Sequence, residues 1–311
     1  MEKDILELFK QGYSFSEIQS KLNLTCEDMS VFLTSINDKI YSHYHHIKFY
    51  ENGNRRYSPN LILDTGIITN KDSESYKAMV ISDTHFGSIS ENKELLDTVY
   101  DYCIKNNIHN IYHLGDVIDG ITGKPEAKYL NPEEQVSHVI NDYPSDSGIL
   151  NFVLLGNHDL DIIGSNYPLH DAITSNRKDM VCLGYGTREI FIKNDSFILK
   201  HSILIDKTDN NYSKKLIFRG HSHQMKLVDN LNNYYIYAPS LSNLQFIDGV
   251  IPGFLTIEYG FHNGYINECI INHYGIIDNK IINMNVNRIN LKGRKREEII
   301  EREEVLVKLK H

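Results

Sequence analysis

From residue 77 onward, short apolar runs alternate with segments whose apolar residues recur at helical spacing. Ala78-Met-Val-Ile81, Ile111-Tyr-His-Leu114 and Phe152-Val-Leu-Leu155 are continuous and short, which predicts buried strands. Between them, residues 92–107 place Leu95, Leu96, Val99, Cys103 and Ile104 on one helical face. Residues 132–141 do the same with Val136, Val139 and Ile140. Strand–helix repetition of this kind predicts an α/β domain. The second half reads as strands. Ile190-Phe-Ile192 and Phe197-Ile-Leu199 flank an Asn194-Asp195 turn. Leu216–Phe218, Leu227-Val228, Tyr235–Tyr237, Phe254–Glu258 and the alternation from Gly264 to Ile271 follow. The expected fold class is therefore α/β, a two-sheet sandwich with helices outside.

The ends of the chain have a different texture. In residues 1–40, Ile5, Leu6, Leu8 and Phe9 give a first helix an apolar face, which Gly12 ends. Ser14 with Glu17 spaces a capping box before Ile18 and Leu22. Thr25 with Asp28 repeats that signal before Met29, Phe32, Leu33, Ile36 and Ile40. This small trihelical pattern resembles a helix-turn-helix fold, and a protein-docking module is the alternative. Its charges weigh against nucleic acid: Lys3, Lys10, Lys21 and Lys39 against Glu2, Asp4, Glu7, Glu17, Glu27, Asp28 and Asp38 give 4 − 7 = −3, whereas phosphate contact needs positive charge, which Lys48, Arg55 and Arg56 just downstream could supply. Residues 41–76 read as a connecting and packing segment. Its His43, His45 and His46 have no carboxylate or cysteine spaced among them and are expected to be surface groups. The catalytic domain is expected over 77–275. Residues 276–311 form an extension ending in a charged helix striped by Ile299, Val305, Leu306 and Leu309.

Composition narrows the class. The chain has 311 residues, 41% hydrophobic and 23% charged, as an ordinary globular protein has. A net charge of −9 argues against a protein that coats nucleic acid without selectivity. No apolar run approaches the ~20 residues that cross a bilayer, and the acidic start lacks a signal-peptide pattern. Cys26, Cys103, Cys182 and Cys269 lie far apart, which predicts free thiols in a reducing cytoplasm.

Five polar clusters fall just after the apolar runs: Asp83-Thr-His85, Gly115-Asp116-Val-Ile-Asp119, Gly156-Asn157-His158-Asp159, His201, and Gly220-His221-Ser-His223. Open α/β sheets place ligands at the carboxyl ends of their strands. Carboxylates, imidazoles and one amide are ligands for divalent Mn, Fe, Zn or similar ions. Two such ions roughly 3.5–4 Å apart form the usual clamp for phosphoryl displacement.

The combination D-x-H, G-D-x-x-D, G-N-H-D, H and G-H-x-H resembles the calcineurin-like metallophosphoesterases, from about Lys77 to Tyr259. That resemblance implies a first metal on Asp83, His85 and His223 and a second on Asn157, His201 and His221. Asp116 would bridge them, together with a water or hydroxide that attacks phosphorus. It further implies His158 at the scissile phosphate, oriented by Asp159, with Asp119 and His113 in outer supporting places. Manganese is the expected pair of ions, with iron, zinc, nickel or cobalt as alternatives. The Ser/Thr protein-phosphatase branch carries Arg and Glu where this chain has Gly120 and Asp159, so the resemblance points to the other branches. Substrate selection is expected in two stretches. Gly120–Pro132 holds Lys124 and Lys128; Gly164–Arg188 holds Tyr167, His170, Arg177, Lys178 and Arg188. The expected partner is a phosphate ester, with DNA or RNA favoured over small molecules and cyclic nucleotides. A nucleic-acid-binding regulator with a vestigial catalytic domain is the alternative class. No membrane partner is expected, and the terminal helices could support self-association.

Overall fold

The computed structural model describes residues 2–10, 15–25, 28, 46–49, 55–58, 75–120, 128–162, 169–193, 195–201, 214–230, 233–243 and 250–292. The expected third N-terminal helix, a short apolar stretch at 61–68, Lys124, Tyr167 and the charged C-terminal helix lie outside these residues.

Two mixed sheets pack face to face, with helices on the outer side of the larger one, as the hydrophobic pattern predicted. The seven-stranded sheet has the order β14-β13-β12-β3-β4-β5-β6. Its centre is β3 (Ser75–Ile81), β4 (Asn110–His113) and β5 (Leu150–Leu155), parallel to one another. Parallel β6 (Met180–Tyr185) lies on one side. The antiparallel run β12 (Gly253–His262), β13 (Tyr265–Ile277) and β14 (Lys280–Asn290) lies on the other. The five-stranded sheet has the order β10-β11-β9-β8-β7. It comprises β7 (Thr187–Ile192), β8 (Asp195–Lys200), β9 (Lys215–Arg219), β10 (Lys226–Asp229) and β11 (Asn233–Tyr237). A separate small hairpin joins β1 (His46–Phe49) to β2 (Arg55–Ser58).

Period-two alternation divides the buried side chains between two cores. Ala78, Val80, Tyr112, Phe152 and Leu154 face Ile190, Phe197, Leu199, Phe218 and Ile236 between the sheets. Met79, Ile81, Ile111, Val153 and Leu155 face the helices instead. Burying each such large side chain stabilises the fold by about 1.5–3 kcal/mol, which holds the strand register and hence the strand ends.

The helices are fixed by local signals. The Asn92 side chain caps α3 (Lys93–Lys105) at the Leu95 N–H. Asn131 caps α4 (Pro132–Asp142), with proline in its first turn. Leu95, Leu96, Val99 and Cys103 are buried as expected, but Ile104 turns out to solvent. At the N-terminus, α1 (Glu2–Lys10) and α2 (Phe15–Lys21) bury Ile5 and Ile18 in the helix-side core. Both pack on the short 3₁₀ turn His158–Ile162. The Thr25–Asp28 signal is realised reciprocally, with Asp28 N–H donating to Thr25 Oγ1 and Thr25 N–H donating to Asp28 Oδ2.

Residues 169–185 differ from expectation. They form α5 (Leu169–Asn176) and then β6, not a substrate loop. Arg177 is buried, donating to the Asp179 carboxylate and to the carbonyls of Val139, Tyr143 and Pro144. Arg188 donates to the Leu183 carbonyl. Both guanidinium groups thus serve the fold, because buried carbonyls of neighbouring segments need donors there.

Candidate metal centre

All five clusters leave the carboxyl ends of strands and meet. Asp83 and His85 follow β3, Asp116 follows β4, and Asn157 follows β5. From the other sheet, His201 follows β8, and His221 and His223 follow β9. The loops interlock through backbone. Asp83 N–H donates to Gly115 O at 3.0 Å and His85 N–H to Asp116 O at 3.1 Å. Across the sheets, Ser240 Oγ donates to Asp83 O at 2.9 Å.

Five of the seven ligand candidates have left-handed backbone: Asp83 (φ 54°), His85 (46°), Asp116 (52°), His221 (72°) and His223 (59°). That conformation costs about 1–3 kcal/mol each outside glycine, and surrounding packing must hold it. Two glycines permit the approach. Gly115 has φ 106°, and a Cβ there would lie 2.5 Å from His201 Nδ1. A Cβ on Gly156 would lie 2.3 Å from Asp116 Oδ1.

The side chains converge into three neighbouring groups: Asp116 is common to two of them, and His85 links the first to a third made with Asp119 and His158. Ligand atoms of Asp83, His85, Asp116 and His223 lie within 4.8 Å of one another, as do those of Asp116, His201 and His221. Asn157 Oδ1 joins the second group, 2.8 Å from His221 Nδ1 and 3.1 Å from His201 Nε2. His223 Nε2 is 3.2 Å from Asp83 Oδ1, and His201 Nε2 is 3.0 Å from Asp116 Oδ2.

The donor set fits divalent cations. Asp83 Oδ1 and Asp116 Oδ2 are buried with one imidazole nitrogen facing each, and both ring nitrogens of His85 are buried without a hydrogen bond, a costly arrangement unless a cation meets them. Charge agrees. Burial alone would raise the Asp83 carboxyl, but the His223 hydrogen bond and the His201 charge bring it down to about 2. Asp116, also buried, is held well below the usual carboxylate range by His201 and His158. Burial opposes charging His201, yet Asp116 and Asp83 push its imidazole up to about 9. Two buried carboxylates that stay ionised and pull so strongly on a neighbour call for positive charge. Two clusters consistent with a binuclear metal site are therefore present.

The outer residues fall into place differently from the resemblance. Asp159 meets backbone. Its carboxylate accepts the N–H groups of Gly156, Val117 and Ile118 at 2.7, 3.2 and 3.0 Å, so it clamps the Asp116 loop to the Asn157 loop. Nδ1 of His158 instead meets the Asp119 carbonyl at 2.7 Å, while the His158 N–H donates to Asp116 Oδ1 at 2.9 Å. Asp119 Oδ1 lies 3.4 Å from His85 Nδ1. The G-D-x-x-D spacing flagged Asp119, but the use of its main-chain carbonyl leaves no trace in side-chain pattern. His113 is buried and neutral: burial pushes it down to about 3, partly offset by Asp83. It accepts the Gly115 N–H at Nδ1 and bonds Thr84 Oγ1 at Nε2. Lys128 donates to Glu91 at 3.0 Å.

Among the described residues no helix is long and apolar enough to cross a membrane. A family model described as calcineurin-like phosphoesterase matches residues 76–225. Vacuolar protein sorting 29 from Cryptosporidium parvum is 14% identical, with TM-score 0.44 over 70% of this chain and 100% of that one. The phosphoesterase Yfce from E. coli is 15% identical, with TM-score 0.40 over 70% and 100%. GAP50, the anchor in the inner membrane complex of Plasmodium, is 11% identical, with TM-score 0.47 over 76% and 95%. No curated protein matches in sequence. The family match over residues 76–225, the two packed sheets and the clusters at their strand ends agree on a calcineurin-like phosphoesterase fold, and the clusters support metal-dependent phosphoester hydrolysis in general.

Proposed function

We propose that the protein is a cytoplasmic binuclear phosphodiesterase that prefers nucleic-acid substrates. One observation carries the two-ion reading: Asp116 belongs to two of the ligand groups, that of Asp83, His85 and His223 and that of His201 and His221. In this reading Asp83, His85 and His223 hold one ion, Asn157, His201 and His221 the other, and Asp116 is common to both. When bound, two divalent ions, manganese first among them, lower the pKa of a water nucleophile and offset charge on the phosphate.

The chain's own residues supply the rest. A carbonyl only accepts, so the Asp119 contact assigns the hydrogen to Nδ1 of His158. Nε2 is then the nitrogen left for the substrate: as an imidazolium the ring gives its Nε2 proton to the leaving oxygen and keeps the Nδ1 hydrogen on the Asp119 carbonyl. His158 is half-buried, so a substrate phosphate can reach it. Asp159 fixes the loops that carry His158 and Asp116, and so acts on position, not on the proton. The helix-turn-helix-like start supports a strand substrate. A small-molecule or cyclic-nucleotide substrate is the second reading, favoured by the net charge of −9.

The test is a panel with metal-supplemented protein: a bis-ester, a monoester, cyclic nucleotides, and single- and double-stranded DNA and RNA. Cleavage of strands and of the bis-ester, abolished by chelation and restored by manganese, is expected. Turnover of monoesters alone would overturn the diesterase reading. No turnover of any ester by protein shown to hold two ions would overturn catalysis itself.

A further inference from the structure

Gln135 lies on the first turn of α4 and is fully buried, outside every ligand cluster. Its side-chain amide is fully engaged with backbone. Oε1 accepts the Gly120 N–H at 2.8 Å, and Nε2 donates to the Gly120 carbonyl at 3.0 Å and to the Tyr129 carbonyl at 2.8 Å. One amide thus pairs with both polar groups of a single residue, as a neighbouring strand would. An N–H can only donate and carbonyls can only accept, so the partners fix which end of the amide is which.

Gly120 directly follows Asp119, whose carbonyl meets His158 Nδ1 and whose carboxylate lies beside His85. The Asp119 N–H is itself tied to Phe86 O at 2.9 Å. On the other side, Gln135 abuts the loop after His85: a Cβ on Gly87 would lie 2.4 Å from Gln135 Cγ. Tyr129 N–H closes the ring by donating to Gly87 O at 3.0 Å. Gln135 therefore sits where the D-x-H loop, the G-D-x-x-D loop and α4 meet. Among the described residues its side chain bonds only Gly120 and Tyr129, and it reaches the centre through Asp119.

We propose that Gln135 is a positioning residue for His158: by holding Gly120 it sets where the Asp119 carbonyl stands, and so aims the imidazole. The inference rests on the proposed role of His158. Removing the amide frees the Asp119 carbonyl to drift, which loosens His158 and leaves the ion ligands in place. Displacement of a catalytic group by a small distance slows the chemical step and spares substrate binding.

The variants are Gln135→Leu, which loses all three bonds, and the isosteric Gln135→Glu, which keeps the acceptor for Gly120 but turns an oxygen toward two carbonyls. Thermal melts and metal content are measured first. With manganese-loaded full-length protein and bis(p-nitrophenyl) phosphate, Gln135→Leu is expected to lower kcat about tenfold with KM unchanged, part of the ~100-fold or more that a general acid–base group contributes. In a His158→Asn background the same change is expected to cost nothing further, since groups acting through one another are not additive. Nitrogen-15 NMR of the histidine rings reads the geometry without turnover: the His158 Nδ1–H signal, identified by its absence in His158→Asn, broadens or moves in both variants. An unmoved His158 signal, or an equal loss of kcat in the His158→Asn background, overturns the inference. An inactive wild type whose His158 signal still responds to Gln135→Leu would sink the catalytic reading and leave the positioning contact standing.

Discussion

The two sheets contribute unlike halves of the metal centre. The seven-stranded sheet supplies both carboxylates, the amide and one imidazole: Asp83, Asp116, Asn157 and His85. The five-stranded sheet supplies only imidazoles: His201, His221 and His223. The carboxylate half is braced from behind by Asp159, by the Glu91 acceptor at Gly87 N–H and by His113. The imidazole half reaches it across the interlayer core. The charged half is thus built into one sheet, where backbone N–H groups and polar side chains steady it before any cation arrives. The other half can be neutral, because imidazole binds metals without bringing charge. Joining the halves depends on the aromatic and aliphatic packing between the sheets.

Replacing the shared carboxylate tests this division most severely. Asp116→Asn is expected to lower both metal content, read by elemental analysis, and kcat/KM by more than the roughly 100-fold ceiling seen when only an outer partner of a ligand is lost. His221→Ala, which removes one neutral donor, should cost less; an equal or larger loss would break the asymmetry between the sheets. Next, Asp159→Ala leaves three buried N–H groups without an acceptor. At about 1 kcal/mol or more each, urea unfolding should show a loss near ~3 kcal/mol. An unchanged midpoint would mean that the brace is dispensable. His158→Asn should retain both ions and slow kcat about 100-fold. A wild-type kcat in the loaded variant would remove His158 from the chemistry.

The smallest expected effect concerns the brace behind the D-x-H loop. Burial would raise the Glu91 carboxyl, but His138, the Gly87 N–H and Lys128 outweigh it and hold it at about 2 against an ordinary 4.5. Glu91 in turn raises His138 above 6.5, against the effect of burial. The Glu91 contribution to stability is complete above 4.5 and fades as pH falls through about 2. That of His138 is complete below 6.5 and fades as pH rises through its raised value. Both act between 4.5 and 6.5, so Glu91→Gln should lower the melting temperature most in that window. A uniform drop at every pH would assign the effect to packing alone.

Much of this was legible in sequence. The strand runs ending at Ser82, Leu114 and Leu155 carried both the fold and the places of the ligands, because an apolar run that stops at a polar cluster marks a buried strand leaving its core. The hairpin pairing Ile190–Ile192 with Phe197–Leu199 was equally local. Two features were in the sequence but passed over. Met180-Val-Cys-Leu-Gly-Tyr185 is an apolar run like the others, and it pairs beside β5. Ile282, Met284 and Val286 alternate with asparagines and form β14, which carries the seven-stranded sheet on to Asn290.

The sequence by itself determined which residue types could bind cations and that they would stand at strand ends, since composition and periodicity are properties of short segments. Tertiary structure alone decided that Asp116 is common to two groups, that Asp159 grips backbone while a main-chain carbonyl holds His158, and that five ligands sit in left-handed conformations. Those outcomes depend on contacts between segments far apart in the chain and on backbone atoms that every residue carries. No side-chain pattern can encode which of them will meet.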